Sequence, residues 1–414
     1  VCSSDLDDWI LEWGPHSVLP SSSTLFRLAS QVGLDDCWKG AERSARKRYI
    51  WRDQQLRALP SGPFSIPFSR ALSPLGWGRF VAEPLISKAN VAEESVGQFF
   101  RRRFGAEASK YLADAMVAGI SGGIPEQLEL ESFAPRLKEW EQNYGSVLLG
   151  LLRSSRSTGT PFQGIGTLEG GMESLPRALA NELGEAFHAE SPVVAVEPSA
   201  TGWKLSIGGA YESGTVEVDG LILALPAAPA SRLLKATHPR AAELLKQQVY
   251  ASMTIVQIGY GPHSGYKEPQ GFGFLVPRDQ DLSILGTIWS SSIFPWRAPD
   301  QHSLATVFLG GTRDPESVDE SEQKLIDRAV STLEKVHGSE LSPSMVALRK
   351  APMAIPQLGI GHAKRVAEIR SELQSDPRLV VAGGFMDGIS LENCARSGQD
   401  AAVQVVSHLA SRQD

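Results

Sequence analysis

Cysteine is scarce in this sequence: Cys2, Cys37 and Cys394 are the three cysteines among 414 residues, and no two of them form a Cys-x-x-Cys pair. An odd number of widely spaced cysteines argues against a disulfide framework and against a structural zinc site. The eight histidines include no His-x-His or His-Glu-x-x-His spacing, so a metal site has little support. A reducing compartment fits this composition, and we expect a cytoplasmic protein.

Two further absences narrow the class of protein. No run of eighteen apolar residues occurs, so the sequence predicts no membrane-spanning helix. Positive charge is not in excess, because 40 Lys and Arg face 47 Asp and Glu for a formal net charge of −7, which argues against a nucleic-acid-binding surface. With 42% hydrophobic residues the chain can form substantial cores, and its expected partners are small molecules.

The predicted secondary structure changes several times along the chain. Helical spacing dominates the middle of the first half, as in EESVGQFFRRRFG and YLADAMVAG. Short β-rich runs such as VVAV, WKLSI and LILALP follow, and then a second series: SMTIVQIGY, GFGFLVP, LSILGTIW and LATVFLGG. The last forty residues return to a strand, LVVAGG, and a helix. These changes predict a mixed α/β fold in which one discontinuous domain is interrupted by two insertions.

The predicted domain boundaries follow those changes. The discontinuous domain comprises residues 1–43, 157–234 and 372–414. A domain with its own β-sheet comprises residues 44–66 and 235–371, and an inserted helical domain comprises residues 67–156.

The stretch VVAGGFMDGISLENCARSG, residues 380–398, predicts a strand, a glycine turn and the start of a helix. Gly383 and Gly384 allow a ligand to approach the main chain because no Cβ blocks it. Ser390 is the predicted N-cap, and the helix after it would point unpaired N–H groups and its positive dipole end at an electron-rich ligand. A tight strand-to-helix connection without any ligand explains the same pattern.

Ten motifs, spread over nearly all residues from about Asp8 onward, occur in the order of a known family. They are LEWGPHSVLP, LRALPSG, ESVGQFFRRRFG, EGGMESLPRAL, GLILALPAAPASRLL, GFGFLVP, SSIFPWRAP, VFLGGTRDP, AIPQLGIGH and GISLENCARSG. On these motifs the chain resembles the flavin-dependent protoporphyrinogen oxidases, a branch of the monoamine-oxidase-like flavoprotein superfamily. No single motif is decisive, but together they are specific.

The resemblance implies that FAD is the cofactor and that the discontinuous domain is a Rossmann-like FAD-binding domain. It also implies a set of flavin contacts. Gly384, Ile389, Ser390 and Leu391 would face the pyrimidine edge of the ring, Val193 would touch the adenine end, and Gly14, Pro15, His16 and Ser17 would lie along the flavin or its ribityl chain. Taken alone, His16 is more typical of a surface or internally hydrogen-bonded histidine.

The family reaction removes hydrogen from a porphyrinogen in two-electron steps during heme biosynthesis, and oxygen regenerates the flavin. No protein residue is assigned a catalytic role, because the flavin performs the chemistry. Phe272, Leu275 and Trp289 are the predicted substrate contacts, since a flat apolar macrocycle needs an apolar pocket; ordinary core packing is the alternative for each. Phe64 occupies the position of an arginine that some relatives place near the substrate carboxylates, so propionate recognition stays unassigned.

The family's opening βαβ unit, with its Gly-x-Gly-x-x-Gly loop for the pyrophosphate, is missing from this sequence. The resemblance therefore implies that the FAD-binding domain is incomplete, with roughly forty to fifty residues lost from the N-terminus. We expect the chain as given to bind flavin poorly.

The run Arg101 to Arg103, beside Phe99, Phe100 and Phe104, has two explanations. The resemblance implies a helical domain that often associates with membranes peripherally, so this run is a candidate for contact with anionic lipid on the inner face of the cell membrane. A solvated helix face is the commoner meaning of such a run.

The expected function is oxidation of protoporphyrinogen IX to protoporphyrin IX with oxygen as acceptor. Coproporphyrinogen III, which close relatives use, is the alternative substrate. An amine oxidase or carotenoid desaturase of the same superfamily is a more distant alternative, and a non-catalytic porphyrin-binding remnant is the alternative outside enzymology.

Overall fold

The structure is a computed structural model that describes residues 3–6, 8–89, 91–153, 161–209 and 214–411. Cys2 and the predicted boundary between residues 156 and 157 lie outside the described residues. The chain forms two compact units. The first unit comprises Val1–Ser21, Asp36–Ser174 and Tyr250–Ile360, and the second comprises Ser22–Asp35, Leu175–Val249 and Gly361–Asp414. The predicted division into three domains stays a prediction.

Strands occur in both units. In chain order they are β1 (Ser3–Leu6), β2 (Trp9–Glu12), β3 (Trp38–Gly40), β4 (Tyr49–Arg52), β5 (Gln55–Ala58), β6 (Gly166–Leu168), β7 (Val193–Pro198), β8 (Trp203–Ile207), β9 (Gly214–Val218), β10 (Leu221–Leu223), β11 (Tyr250–Tyr260), β12 (Gly273–Leu275), β13 (Gly286–Trp289), β14 (Ser303–Gly310), β15 (Met345–Pro356) and β16 (Leu379–Val381).

Helices also occur in both units, which confirms the predicted mixed α/β fold. They are α1 (Ser23–Gln31), α2 (Pro74–Val81), α3 (Val96–Phe104), α4 (Ala106–Ala108), α5 (Asp114–Ser121), α6 (Leu130–Phe133), α7 (Pro135–Tyr144), α8 (Val147–Arg153), α9 (Ser174–Leu183), α10 (Ala227–Leu234), α11 (Pro239–Lys246), α12 (Ser290–Ile293), α13 (Glu322–His337), α14 (His362–Leu373), α15 (Gly384–Asp387) and α16 (Leu391–Ala410). No helix among the described residues is both long and apolar enough to cross a membrane.

A seven-stranded sheet forms the centre of the first unit, in the order β15-β11-β14-β13-β12-β4-β5. Its neighbours are antiparallel except β12 and β4, which run parallel. Strand β11, which lies between β15 and β14, is buried along almost its whole length. Helix α13 packs on one face through Leu325, Ala329 and Leu333, which are spaced four residues apart and therefore lie on one side of the helix.

Helices α2 to α8 form a second core within the first unit, built around Phe99, Phe100 and Phe104 of α3. Helix α3 begins with a capping box in which the Ser95 side chain accepts from the Gln98 amide and the Gln98 side chain accepts from the Ser95 amide. Because the three phenylalanines are buried, they are not available to a lipid surface.

Two guanidiniums of the Arg101 to Arg103 run hold this helical core together. Arg103 is completely buried and pairs with the equally buried Glu83. Arg102 donates to Glu94 at 2.8 Å and to Glu141 at 2.6 Å. Arg102 and Arg103 are therefore not available to lipid and do not form a solvated face, because their charges point to partners inside the protein. Arg101 is exposed, and its contact with lipid stays a prediction.

The second unit contains two small sheets. Strands β7, β8 and β9 form an antiparallel meander, and β10 pairs in parallel with β16, with Ile222 opposite Val380. Both strands of the parallel pair are short and apolar, and β16 leads directly into the glycine turn singled out from the sequence. Helix α16 then runs from Leu391 to Ala410.

Candidate active site

The turn after β16 requires glycine at two positions. Gly383 has a φ of 135° and Gly388 a φ of 111°, a region of backbone conformation that other residues rarely adopt. A Cβ on Gly388 would lie 2.3 Å from Asn393 Nδ2, so a side chain there would also require the Asn393 side chain to move. The glycines therefore permit the sharp path between the strand and the helix.

Side chains of α15 and α16 fasten this turn. The Gly383 amide donates to Ser397 Oγ at 2.9 Å, and the Ser397 hydroxyl donates to the Asp387 carboxylate. Asp387 in turn pairs with Arg370 of α14. Since the turn is tied to two helices, its backbone amides have fixed positions, which is what binding through the main chain requires.

Ser390 is the N-cap of α16, as predicted from the sequence. Its Oγ accepts from the Asn393 amide at 3.1 Å, and its carbonyl accepts from the Cys394 amide at 2.9 Å. Gly384, Ile389, Ser390 and Leu391 thus lie together in one turn and one helix start. Val193 is at a different place in the same unit, as the half-buried first residue of β7.

Glu392 fixes the direction of the α16 N-terminus. Its carboxylate accepts from the Thr24 amide at 3.0 Å and from the Leu25 amide at 3.1 Å, which are the first free amides of α1. Ser22, the N-cap residue of α1, makes no side-chain cap of its own, so Glu392 replaces that function. Sequence patterns did not indicate this contact, because the residues are more than 360 positions apart.

In the first unit, Gly14 to Ser17 follow β2, and the His16 side chain of this segment is buried. Arg297 donates from Nη1 to His16 Nδ1 at 3.0 Å and from Nη2 to the His16 carbonyl at 2.8 Å. A guanidinium only donates, so Nδ1 accepts and the ring hydrogen is on Nε2. That Nε2 is buried without a hydrogen-bond partner among the described residues.

Burial, together with the Arg297 charge, holds the pKa of His16 well below its usual value. The ring is therefore neutral at physiological pH. His16 presents one N–H donor, in a fixed tautomer, to whatever lies beyond Nε2.

A buried polar network supports His16 from behind. Arg297 Nη2 also donates to Glu12 Oε1 at 3.0 Å, and the Met172 amide donates to the same oxygen at 2.9 Å. Gln257 of β11 donates to the Glu12 carbonyl at 2.6 Å, which connects the network to the central sheet. Sequence analysis missed Glu12 and Arg297. The available signal was one charge inside each of two otherwise apolar motifs, LEWGP and FPWRAP.

Side chains alternate between the two faces of the seven-stranded sheet, and two of the predicted substrate contacts, Leu275 and Trp289, lie on opposite faces. Phe274 lies opposite Thr287, so Trp289, two residues further along β13, points to the same face; both Phe274 and Trp289 belong to the core under α13. Leu275 points to the other face, where it packs against the helical core. Trp289 is 1% exposed, and its role as a substrate contact stays a prediction.

The face that carries Leu275 continues toward His16. Phe308 of β14 lies opposite Gly286, which itself lies opposite Leu275, so both side chains share this face. The His16 ring packs edge-on against Phe308 at 5.8 Å between ring centres. We call this surface the open face, because Leu275 and Phe308 are half-buried, in contrast to the residues under α13.

Phe272 lies at one end of the open face. Phe272 and Ile288 both pack against the buried cluster that contains Phe294, and Ile288 is on the same face as Leu275. The Arg48 guanidinium lies over the Phe272 ring, 5.2 Å from its centre. The structure therefore brings Phe272, Leu275 and His16 to one surface, with a cation at its edge.

Other candidate sites in the first unit are internally satisfied. A cavity of about 710 Å³ is lined by three arginines, but Arg313 pairs with Asp114 and Arg328 with Asp314. Arg278 pairs with Asp114 as well. Within the described ranges no group of three or more His, Cys, Asp or Glu side chains is placed to hold a metal ion.

Comparison with known proteins gives the family. The family model of flavin containing amine oxidoreductases matches residues 1–406. The chain belongs to this family. It is 30% identical over 431 residues to human protoporphyrinogen oxidase, in an alignment that covers 96% of this chain and 88% of the human protein. The resemblance to protoporphyrinogen oxidases is thereby confirmed, and the chain is a flavoprotein oxidoreductase with FAD as its cofactor.

Other relatives of the family have different substrates in their names. Coproporphyrinogen III oxidase of Bacillus subtilis is 27% identical over 98% of this chain and 88% of its own length. Among solved structures, an Exiguobacterium protein assigned as a protoporphyrinogen oxidase has a TM-score of 0.81 at 23% identity, covering 99% of this chain and 90% of that one. Cyclohexylamine oxidase from Brevibacterium oxydans has a TM-score of 0.67 at 17% identity, covering 97% and 88%. These structures share the fold.

Each of the two units contains groups with the hydrogen-bonding or electrostatic properties that a flavin ring needs. Flavin rings accept hydrogen bonds at carbonyl oxygens and ring nitrogens, and reduction adds negative charge. In the first unit, His16 Nε2 is a buried donor for which the described residues supply no acceptor. In the second unit, the N-terminus of α16 follows a glycine turn and favours negative charge. The individual flavin contacts of Gly14, Pro15, His16, Ser17, Val193, Gly384, Ile389, Ser390 and Leu391 stay predictions.

Proposed function

We propose that this chain oxidises protoporphyrinogen IX to protoporphyrin IX in heme biosynthesis, with FAD as cofactor and oxygen as the final electron acceptor. The observation that supports this most directly is the similarity to human protoporphyrinogen oxidase, which extends over 96% of the chain. The open face of the first unit agrees with it, because its half-buried apolar side chains suit a flat, mostly apolar macrocycle.

FAD, when bound, would supply the acceptor for the hydride that leaves the oxidised substrate carbon. The protein residues hold and orient the reactants. Phe272, Leu275 and Phe308 pack against the macrocycle and exclude water from it, which strengthens the electrostatic interactions nearby. His16 keeps its proton on Nε2 throughout, because Arg297 occupies Nδ1.

The second unit supplies a different contribution. The free amides at the start of α16 stabilise negative charge that develops at a bound electron acceptor, since they are already oriented before reaction. Gly383 and Gly388 allow this close main-chain approach, and Ser397 and Asp387 keep the turn in place.

Coproporphyrinogen III is the second candidate substrate, and the 27% identity to the Bacillus subtilis enzyme over 98% of the chain favours it. The two substrates differ in the number of carboxylate arms, two in protoporphyrinogen and four in coproporphyrinogen. The number of cations around the open face therefore affects which substrate the protein prefers.

Porphyrin fluorescence tests the proposal directly. The purified protein, supplied with excess FAD, is given each porphyrinogen in air and under nitrogen. We expect faster formation of protoporphyrin than of coproporphyrin at equal substrate concentration, and loss of turnover without oxygen. Faster coproporphyrin formation would reverse the substrate assignment. Porphyrin binding by FAD-loaded protein without any turnover would identify a non-catalytic binding protein.

We also propose a peripheral membrane contact, through residues other than the predicted arginine run. Phe68, Leu75 and Leu85 of the helical region are 86%, 87% and 85% exposed, and Phe64 just before them is 95% exposed. Glu83 is the single acidic residue between positions 61 and 89 and is fully buried, so the exposed charges there are Arg70 and Lys88. Apolar side chains beside cations suit an anionic lipid surface.

Vesicle flotation tests this contact. We expect the protein to float with vesicles that contain anionic lipid and to remain at the bottom with neutral ones. A Leu75→Glu and Leu85→Glu double variant should float less, whereas equal flotation of variant and parent would remove these residues from the contact.

A further inference from the structure

Residues 43–48, which we call the basic segment, contain four exposed cations: Arg43, Arg46, Lys47 and Arg48. None of them has an ion-pair partner among the described residues. Unpaired cations in such a short segment are unusual for a chain whose formal net charge is −7. The basic segment therefore offers positive charge to a partner that is not part of the chain.

Arg48 differs from the other three cations in its surroundings. Its guanidinium lies 5.2 Å above the centre of the Phe272 ring, whereas Arg43, Arg46 and Lys47 lie over none of the described aromatic rings. The residue as a whole is exposed, but the guanidinium is partly removed from water, and this burial lowers the pKa of Arg48. A partly dehydrated cation gains more from a negatively charged ligand than one in bulk water.

The backbone fixes Arg48 at the edge of the open face. The Phe272 amide donates to the Lys47 carbonyl at 2.8 Å, and the Leu59 amide donates to the Arg48 carbonyl at 2.8 Å. Arg48 thus precedes β4 at the end where Phe272 precedes β12. Because Phe272 and Ile288 pack against the same buried cluster and Ile288 lies on the face of Leu275, a ligand over these apolar residues has its edge beside the Arg48 guanidinium.

We propose that Arg48 binds a carboxylate arm of the tetrapyrrole whose macrocycle lies on the open face. This inference rests on the proposed function. A guanidinium holds a carboxylate through two parallel hydrogen bonds, so it fixes the orientation of the ring as well as its charge. Phe64, which the resemblance places where some relatives have a carboxylate-binding arginine, carries no charge, and Arg48, directly before β4, supplies the cation instead. Arg43, Arg46 and Lys47 add long-range attraction.

The test compares Arg48→Met with Arg46→Met in the full chain loaded with FAD. Both variants remove one exposed, unpaired cation from the same segment, but only Arg48 contacts Phe272. We expect the KM for protoporphyrinogen to rise about tenfold in Arg48→Met with kcat nearly unchanged, as for the loss of one charge-assisted contact. Arg46→Met should change KM by less than about twofold, since its charge acts only at long range. Arg48→Lys should recover part of the loss.

Binding of the porphyrin product, followed by fluorescence, provides a readout that does not need turnover. Arg48→Met should bind the free acid more weakly than the parent, and should bind the dimethyl ester, which has no carboxylate, equally well. If the parent oxidises porphyrinogen but Arg48→Met and Arg46→Met have equal KM values, the role of Arg48 is refuted. If the FAD-loaded parent oxidises no porphyrinogen, the proposed function itself fails.

Discussion

The two arginine-rich runs of this protein behave in opposite ways. In the run Arg101 to Arg103, two guanidiniums are paired inside the helical core, with Glu83, Glu94 and Glu141. In the basic segment, residues 43–48, no cation has an ion-pair partner within the described part of the chain. Their sequences, RRR and RSARKR, give no indication of this difference.

The difference lies in residues distant from each run. The carboxylates that surround Arg102 and Arg103 come from the 3₁₀ turn Glu83–Leu85, from the loop before α3 and from α7, and they meet only after the helices have packed. Among the residues that the structure describes, no carboxylate forms an ion pair with the basic segment. Removal of one partner from a buried ion pair leaves an uncompensated buried charge and destabilises the protein, whereas an exposed charge without a partner is available for binding.

Loss of Arg103 should have the largest effect on stability. We expect Arg103→Met to lower the free energy of unfolding by about 3–5 kcal/mol, because Glu83 would remain buried without its partner. Arg101→Met is the matched control: Arg101 is exposed, and its loss should change stability by less than about 0.5 kcal/mol. Urea unfolding measures both. Equal losses in the two variants would show that the buried pair does not stabilise the helical core.

Acid should weaken the helical core through Glu83. Burial alone would raise the pKa of Glu83, but hydrogen bonds from Ser146, the Val147 amide and Arg103 together lower it below its usual 4.5. A pKa that is lower in the folded state means that the carboxylate contributes stability above pH 4.5 and loses that contribution as the pH falls further. Urea midpoints measured from neutral pH downward should therefore decline more steeply in the parent than in Glu83→Gln. Parallel curves would assign the acid sensitivity to other carboxylates.

The smallest effect on stability is expected in the basic segment. Arg46→Met should change the free energy of unfolding by less than about 0.5 kcal/mol, because Arg46 is exposed and unpaired. Thermal or urea unfolding of Arg46→Met and Arg103→Met, measured under the same conditions, compares their free energies of unfolding. A loss as large as that of Arg103→Met would mean that the two runs have the same structural role.

Local features of the fold were predictable from the sequence. The N-cap at Ser390 and the glycines of the preceding turn depend on residues within a few positions of one another, and the structure shows them where the pattern indicated. The mixed α/β character also follows from local hydrophobic spacing, and the family follows from motifs in order.

Contacts between distant residues were not predictable in the same way. His16, Glu12 and Arg297 meet across more than 280 positions, and only tertiary packing creates the buried donor at His16 Nε2. Trp289 illustrates a second limit, because the face to which a strand residue points depends on the register with its neighbours. Neighbouring residues of β13 point in turn to the core under α13 and to the open face, so a shift of one residue exchanges the two.

Glu392 links the turn between β16 and α16 to a helix far away in the sequence. Its carboxylate holds the amides of Thr24 and Leu25, so any displacement of the first turn of α16 removes their hydrogen-bond acceptor. Exchange of these two amides with deuterated water therefore reports on the order of that turn. Slower exchange of these two amides after addition of FAD would show that FAD occupies the turn. The measurement needs no substrate, and it works at protein concentrations that are too low for an absorbance spectrum of the flavin.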